Sequence, residues 1–321
     1  MADIMKLQQM TLVSLEDLVE ANHQYRKFKA ILDFDIVASV LKEVESKANY
    51  KGYGMGRLFK CLLLQFMEDL SDRQLERYLA ENVAAKWFCE FDLNEATPDH
   101  SVFTRLRSKI GTSKLAEIFA KFRDQLRVQG YMSEVFTFVD ATHLIAKASL
   151  WQERDEAIKR KYEKLNNDTL PKVAKDKDAK IGCKGGDKFW YGYKKHVSVD
   201  MQSGLINKVA VTPANVTDAK AFRHVCPQSG AVYADKGYCT KPAQIAAKAK
   251  SVHLAAPKKN NMKGKDFDLD RYYTKLRAPF ERVFSKESKR TRYRSVMKNQ
   301  FAAFLQAICF NLKRICSLQV A

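Results

Sequence analysis

The alternation of apolar and polar positions changes period once along the chain. From Met55, the residues Leu58, Phe59, Leu62, Leu63 and Phe66 recur at the spacing of a helix with one buried stripe, and Ser71 restarts the pattern from an N-cap position. Ser14 to Tyr25 and Ile36 to Ala48 predict two helices before this run, and Asn82 to Phe88 predicts another after it. Thr97-Pro98-Asp99-His100-Ser101 then opens a helix carried by Phe103, Leu106 and Ile110 to a stop at Gly111, and Ser113 to Val128 forms the last helix before Gly130. Residues 1–130 therefore read as an all-α domain.

From Val135 the period drops to two. Phe138 to Thr142, Trp190 to Asp200 and Leu205 to Val211 predict three strands in a meander, the last two joined at Ser203-Gly204. Asp218 to Val225 reads as a helix, Ala231 to Asp235 as a fourth strand, Lys241 to Lys250 as a helix and Val252 to Pro257 as a fifth strand. A helix carrying Glu281 follows, with Pro279 in its first turn, and then an apolar helix from Gln300 to Ile315. Residues 131–321 thus read as an α/β domain with a mixed five-stranded sheet flanked by helices. Residues 152–188 form a polar, lysine-rich insert between the first two strands; it is either a linker or a segment that orders on a partner.

Two of these strands deliver a carboxylate, Asp140 in Val139-Asp140-Ala141-Thr142 and Asp235 in Ala234-Asp235-Lys236-Gly237-Tyr238. In α/β sheets ligands bind outside the carboxyl ends of strands, so position nominates both. With Glu281 they make three oxygen donors, chemically sufficient for Mg2+ and phosphoryl transfer. Among the other acids, Asp200 suits the Ser-Gly turn after it, Asp187 a loop and Asp218 a helix cap. Lys194 and His196 alternate with Gly192 on one face of the second strand, where they either point at the acids or sit as satisfied polar groups.

Charge changes the picture from an ordinary enzyme to one that meets polyanions. The 321 residues are 46% hydrophobic, enough for a substantial core, and 56 Lys and Arg against 37 Asp and Glu leave a formal charge of +19. Nucleic acid is the leading partner, with salt-sensitive affinity. Residues 241–298 alone carry 17 Lys or Arg and 5 Asp or Glu, including Lys258, Lys259, Arg290, Arg292 and Arg294. Arg105, Arg107 and Lys109 lie on the helix before Gly111, in an array compatible with a helix-turn-helix or with a plain helical bundle. Tyr25-Arg26-Lys27-Phe28-Lys29 either touches a DNA backbone or is a solvated helix end. The seven cysteines are scattered, with no Cys-x-x-Cys, and fit reduced thiols rather than zinc. Phe301 to Phe310, the longest uncharged apolar tract, is too short to span a bilayer, so the expectation is a cytoplasmic, nucleoid-associated protein with no membrane partner.

The order β-β-β-α-β-α-β-α, with Asp on the first and fourth strands and Glu on a later helix, is the layout of the ribonuclease-H-like fold. Leu70-Ser71-Asp72-Arg73-Gln74-Leu75-Glu76 and Pro98-Asp99-His100-Ser101 resemble the N-terminal helical domain of DDE insertion-sequence transposases, in the IS5 group of the IS4-type superfamily. Val139-Asp140-Ala141-Thr142, Tyr191-Gly192-Tyr193-Lys194-Lys195-His196, the stretch Thr212 to Asp218 and Ala234 to Tyr238 resemble successive blocks of that family's catalytic domain. The resemblance implies that Asp140, Asp235 and Glu281 are the metal-binding triad for two Mg2+ ions, with Mn2+ as a substitute. It implies auxiliary positions at Lys194, His196, Asn215, Asp218, Arg277 and Lys289, and a homodimer assembled on double-stranded DNA, both transposon ends and target. Arg277 matches the family's Arg-x-x-x-Glu, while the Tyr expected three residues earlier falls on Thr274 beside Tyr273, and the Lys expected after the Glu falls on Ser288 beside Lys289. Two other classes share these residues: a catalytically silent DNA-binding protein, and an endonuclease that cuts without joining strands.

Overall fold

A computed structural model describes residues 13–48, 52–146, 166–184, 188–259, 261–277 and 289–319. The chain forms two compact units, Met1–Lys109 and Ile110–Ala321.

The first unit is helical: α1 Gln24–Ile31, α2 Asp35–Ala48, α3 Met55–Met67, α4 Asp72–Glu81, α5 Val83–Cys89 and the start of α6 His100–Val128. Helix α3 is its centre, with Leu58, Phe59, Leu62 and Leu63 fully buried. Local chemistry sets the boundaries. Ser71 closes a capping box with Gln74, and the Asn82 side chain accepts from Ala85 N at 2.8 Å to start α5. Gly111, at φ 64°, breaks α6 where the sequence stops the helix.

The expected helix from Ser14 to Tyr25 is not formed. Ser14 and Asp17 exchange side-chain and backbone hydrogen bonds that close a turn instead, and the helix starts at Gln24 under a His23 cap. The basic run beside it is folded inward in part: Arg26 donates to the Val19 carbonyl at 2.9 Å and lies 4.7 Å from the centre of the Trp87 ring. Arg107 is likewise engaged within the unit. Its guanidinium grips the Asp72 carboxylate through both nitrogens, one bond at 2.9 Å, and donates to Gln65 at 3.0 Å, which ties the start of α4 to α6 and α3. Arg107, nominated from the sequence for DNA contact, is thus engaged within the unit.

Among the described residues the second unit has six strands, one more than the sequence predicts: β1 Phe136–Ile145, β2 Lys180–Lys184, β3 Lys188–Asp200, β4 Ile206–Pro213, β5 Ala231–Ala234 and β6 His253–Ala255. The order is β2-β3-β1-β5-β6, with β4 also on β3. β1, β3 and β4 are antiparallel neighbours, as the meander requires, while β5 and β6 extend the sheet in parallel. This connectivity fits the ribonuclease-H-like expectation. The added strand lies in the presumed insert, where residues 166–184 fold into a short helix, α7 Leu170–Val173, and β2. β2 pairs with residues 188–192 of β3 and β4 with residues 193–199, so the two share one edge of a long strand. Gly192 sits at the junction because a Cβ there would meet the Leu144 carbonyl oxygen at 2.0 Å.

Helices α8 Asp218–Val225 and α9 Lys241–Lys248 link the parallel strands. They bury Ala219, Phe222, Val225, Ala243 and Ala247 against Val139, Val232 and Ala234. Helix α10 Phe267–Arg277, absent from the sequence-based expectation, precedes α11 Val296–Leu318. By length and composition α11 passes for a membrane span. Its apolar stripe of Phe301, Leu305, Ile308, Leu312 and Ile315 is buried in the protein. Its polar residues act as a sheet neighbour. Gln300 accepts from Val211 N at 2.7 Å and donates to the Val209 carbonyl, and Asn311 accepts from Ile206 N at 2.7 Å and donates to the Ile206 carbonyl at 2.9 Å. Two amides thus close the free edge of β4. The start of α11 is held by residues of the presumed insert: buried Asp176 accepts from Ser295 N and from the Tyr193 hydroxyl, and Asp178 accepts from Val296 N at 3.1 Å.

Replacing Asn311 by Ala leaves a buried backbone N–H and C=O without partners, so its urea midpoint should fall by the equivalent of about 1–3 kcal/mol; a loss within about 0.5 kcal/mol would mean the edge is closed by other means. Arg107→Ala strands a half-buried carboxylate. It should destabilise the helical unit by roughly 1–3 kcal/mol, seen as a lower melting temperature at pH 7. Hydrogen bonds from Arg107 and Gln65 outweigh burial and hold the Asp72 carboxyl below its ordinary range, so this contribution should persist down to about pH 4 and disappear as pH falls below it.

Candidate active site

Val139 opposite Ala234 is the last pair of the parallel ladder between β1 and β5, which makes Asp140 and Asp235 the next residues on adjacent strands. Neighbouring strands run about 5 Å apart. Alternation sends Phe136, Phe138 and Asp140 to one face, with Tyr233 and Asp235, while Val139, Val232 and Ala234 face α8 and α9. Asp235 also caps a short 3-10 turn, Lys236–Tyr238, by accepting from Lys236 N at 2.6 Å.

A cation covers this acidic face. Arg277, the last residue of α10, is buried, with Nη1 3.4 Å from Asp235 Oδ1 and its guanidinium carbon 5.8 Å from the centre of the Phe138 ring. One turn earlier on the same helix, Tyr273 meets Tyr233 edge-on at 5.9 Å. Thr274 is exposed and donates its hydroxyl to the Asp270 carbonyl. Helical phase therefore turns Tyr273, rather than Thr274, toward the acids.

The Asp140 carboxyl is pushed up to about 6, first by burial and then by the neighbouring Asp235 and Asp218, against the pull of Ala141 N–H and Arg277. A further residue lies beside this group, one that sequence reasoning did not single out. Tyr238 is buried with its ring 5.9 Å from that of Phe222, and its hydroxyl has no hydrogen-bond partner among the described residues. Burial and the nearby Asp218, Asp140 and Asp235 push that hydroxyl well above its ordinary range, so it stays a donor. Its position at the end of the glycine turn after Asp235 was the available signal.

The donor chemistry fits a hard divalent cation. Adjacent carboxylates of which one resists ionisation need positive charge, and Mg2+ takes one or two carboxylates. Among the described residues no cluster of three metal-binding side chains occurs. Glu281, the expected third donor, lies outside the described residues, as does Asp187.

The remaining candidates divide between two faces and the rim. Lys194 and His196 pair with His143 and Ala141 and so fall on the face opposite Asp140. Lys194 donates to Asp218 at 3.0 Å, and His196 Nε2 lies 2.9 Å from the Thr212 hydroxyl. Burial depresses His196 to about 4, despite Asp218, so the ring is neutral. Asp218 is the first residue inside α8, with Thr217 as the N-cap, which corrects its reading as a cap. Asp200 does hold its turn, accepting from Ser203 N at 2.8 Å. Asn215 is exposed in the turn between β4 and α8.

At the far end of β1, the Lys289 carbonyl accepts from Ile145 N at 2.7 Å. Arg290, Arg292 and Arg294 then emerge exposed at alternate positions. Lys258 folds back to donate to the Gly264 carbonyl at 2.6 Å, and Lys259 is half-buried. Arg105 and Lys109 are exposed on α6, and Arg105 donates to Ser101 at 3.0 Å.

Residues 13–109 match the family model described as a transposase domain (DUF772), and residues 132–312 match the transposase DDE domain. The chain belongs to the DDE transposase family. Among solved structures, a piggyBac transposase synaptic complex with hairpin DNA is similar at 10% identity, over 92% of this chain and 75% of that one, with a TM-score of 0.44. Both acids at the β1–β5 junction, Arg277 and Tyr238 lie within the matched DDE domain of this transposase-family chain.

Metal-free protein carries the cost of the raised carboxyl. Folded Asp140 keeps its proton up to about pH 6 whereas the unfolded chain releases it near 4, so stability falls as pH rises across that window. Asp140→Asn should flatten the slope and, above pH 6 in chelator, exceed the native chain in stability by on the order of 2 kcal/mol. Denaturant midpoints at four pH values measure this; an unchanged slope would place the perturbed carboxyl elsewhere.

Proposed function

We propose that this chain is an insertion-sequence transposase of the IS5 group, built on a ribonuclease-H-like domain. It binds the terminal inverted repeats of its element, cleaves phosphodiester bonds there and transfers the freed 3′-hydroxyl into target DNA. The observation that carries this reading is the pairing of Asp140 with Asp235 on adjacent parallel strands under a buried Arg277.

Asp140 and Asp235 would hold Mg2+, or Mn2+ in its place, and Glu281, four residues past Arg277 in sequence, would complete the donor set for two ions. Bound there, the ions would supply activation of the attacking oxygen and stabilisation of the departing one. The rest falls to the chain. Arg277 balances the acidic face and turns a cation toward the phosphate, and Tyr238 offers a buried hydroxyl donor beside the carboxylates. The Lys194–Asp218 and His196–Thr212 pairs brace β3, β4 and α8 on the opposite face, so they position rather than react. Exposed Arg290, Arg292 and Arg294 neutralise phosphates, and Arg105 and Lys109 serve the helical unit in the same way. Acting on two ends requires a second subunit, so a homodimer assembles on DNA, in the cytoplasm at the nucleoid.

The test is cleavage and joining of a labelled duplex bearing the element's own end, with Mg2+ or with chelator, comparing the native chain with Asp235→Ala. Metal-dependent cleavage and joining that the variant loses by at least a hundredfold, with end binding retained or tightened, is the expected outcome. Cleavage without joining favours an endonuclease, and binding without either favours a silent DNA-binding protein.

A further inference from the structure

Four aromatic rings continue the acidic face outward. Phe136 on β1 lies 6.2 Å from Tyr233 on β5, Tyr233 lies 5.9 Å from Tyr273 on α10, and Tyr273 lies 6.2 Å from Tyr272. Phe136 and Phe138 precede Asp140 at two-residue steps on one side of β1, and Tyr233 precedes Asp235 in the same way on β5. At its inner end the series abuts Phe138, fully buried under Arg277. At its outer end Phe136 is 52% and Tyr272 54% exposed. Rings packed for a core are covered; these two are open to solvent at the end of the series away from the acid pair.

The surroundings say what would cover them. Arg271 and Lys275 are exposed one turn apart on α10, flanking Tyr272, with exposed Asp268 one turn before it. Exposed aromatic faces next to cations suit the two parts of a nucleotide, a base with a π-face and a phosphate with negative charge.

We propose that the ring series Phe136–Tyr233–Tyr273–Tyr272 is a stacking subsite for unpaired bases of a nucleic-acid strand running past Asp140 and Asp235. The inference rests on the reading of those carboxylates as a phosphodiester site, and it adds to it the single-stranded character of the substrate next to the reacting phosphate. Stacking on exposed rings tolerates any base, so the subsite selects unpaired over paired strands and not one sequence over another.

The experiment uses the full chain in chelator, where the strand stays intact, with a single-stranded oligonucleotide carrying 2-aminopurine at successive positions and a blunt duplex of the same sequence. Binding should quench the fluorescence at one or two adjacent positions. Tyr272→Leu and Phe136→Ala should each weaken single-strand binding by about 5- to 100-fold while changing duplex affinity by less than about twofold, and Tyr272→Trp should restore it. Tyr272→Leu keeps an exposed helical position apolar, so it separates stacking from simple cover. Single-strand affinity unchanged in both variants, or lost equally for duplex, would overturn the proposal. So would a native dimer that Phe136→Ala or Tyr272→Leu converts to monomer with single-strand binding intact, which would make the surface a contact between copies. Native cleavage activity is scored separately: an inactive chain whose ring variants still lose single-strand binding keeps the subsite and sinks the transposase reading, whereas an active chain with indifferent ring variants does the reverse.

Discussion

Two carboxylates on neighbouring strands repel each other, and the second unit is arranged around the need to tolerate that. The parallel register of β1 and β5 places Asp140 and Asp235 side by side, at the point where the short strand ends and the long one continues. Burial adds to the repulsion at Asp140 and raises its carboxyl to about 6. Relief comes from two directions. Asp235 is half-exposed and accepts from the first N–H of its own turn, and Arg277 brings one buried positive charge from α10. One guanidinium at 3.4 Å from one oxygen leaves the pair short of positive charge. A site poised in this way favours a cation for electrostatic reasons before any question of catalysis arises.

Holding such a pair in place requires a sheet that does not yield, and the edges explain how it is stiffened. β3 is bonded along one side to β1 and along the other to β2 and β4 in succession. The outer edge of β4 is closed by Gln300 and Asn311 from α11, whose own start is held by Asp176 and Asp178. The segment just before β2 therefore anchors the helix that seals the sheet. Behind the acids, Lys194–Asp218 and His196–Thr212 join β3 to α8 and β4. The polar residues on that face act as struts under the site.

Much of this was legible in the sequence because it depends on local period and on turn chemistry. The stripe of α3, the Ser71 capping box, the β1-β3-β4 meander and the Asp-Lys-Gly-Tyr turn after β5 all follow from neighbouring residues. What escaped depends on partners far along the chain. β2 holds only five residues, Lys180-Ile181-Gly182-Cys183-Lys184, too polar to read as a strand until β3 bonds it. Helix α10 has little apolar periodicity because its inward face consists of a tyrosine and an arginine chosen for what they meet, Tyr233 and Asp235. Strand alternation was readable at Lys194 and His196, but which face they share with Asp140 is fixed by the antiparallel register, and that register puts them behind the sheet. Glu281 falls outside the described residues, so the third donor rests on sequence alone.

Composition could not sort the cations either, and burial does. Arg107 and Arg277 each face a carboxylate of the fold, Asp72 and Asp235, and removing either would first expose an unbalanced carboxylate. Arg290, Arg292 and Arg294 differ in being exposed, while the Thr291 hydroxyl and the Tyr293 carbonyl between them bond Asn299. A formal charge of +19 thus divides into cations that hold the fold around its acids and cations exposed to solvent. Only the second group can give a salt-dependent affinity, since counterion release requires a charge that reaches the phosphate. The same division applies to the aromatics: Phe138 is sealed under Arg277, whereas Phe136 and Tyr272 on the same face are left open. A surface that exposes rings and cations together on the side of a half-buried acid pair has the composition that the proposed stacking subsite requires.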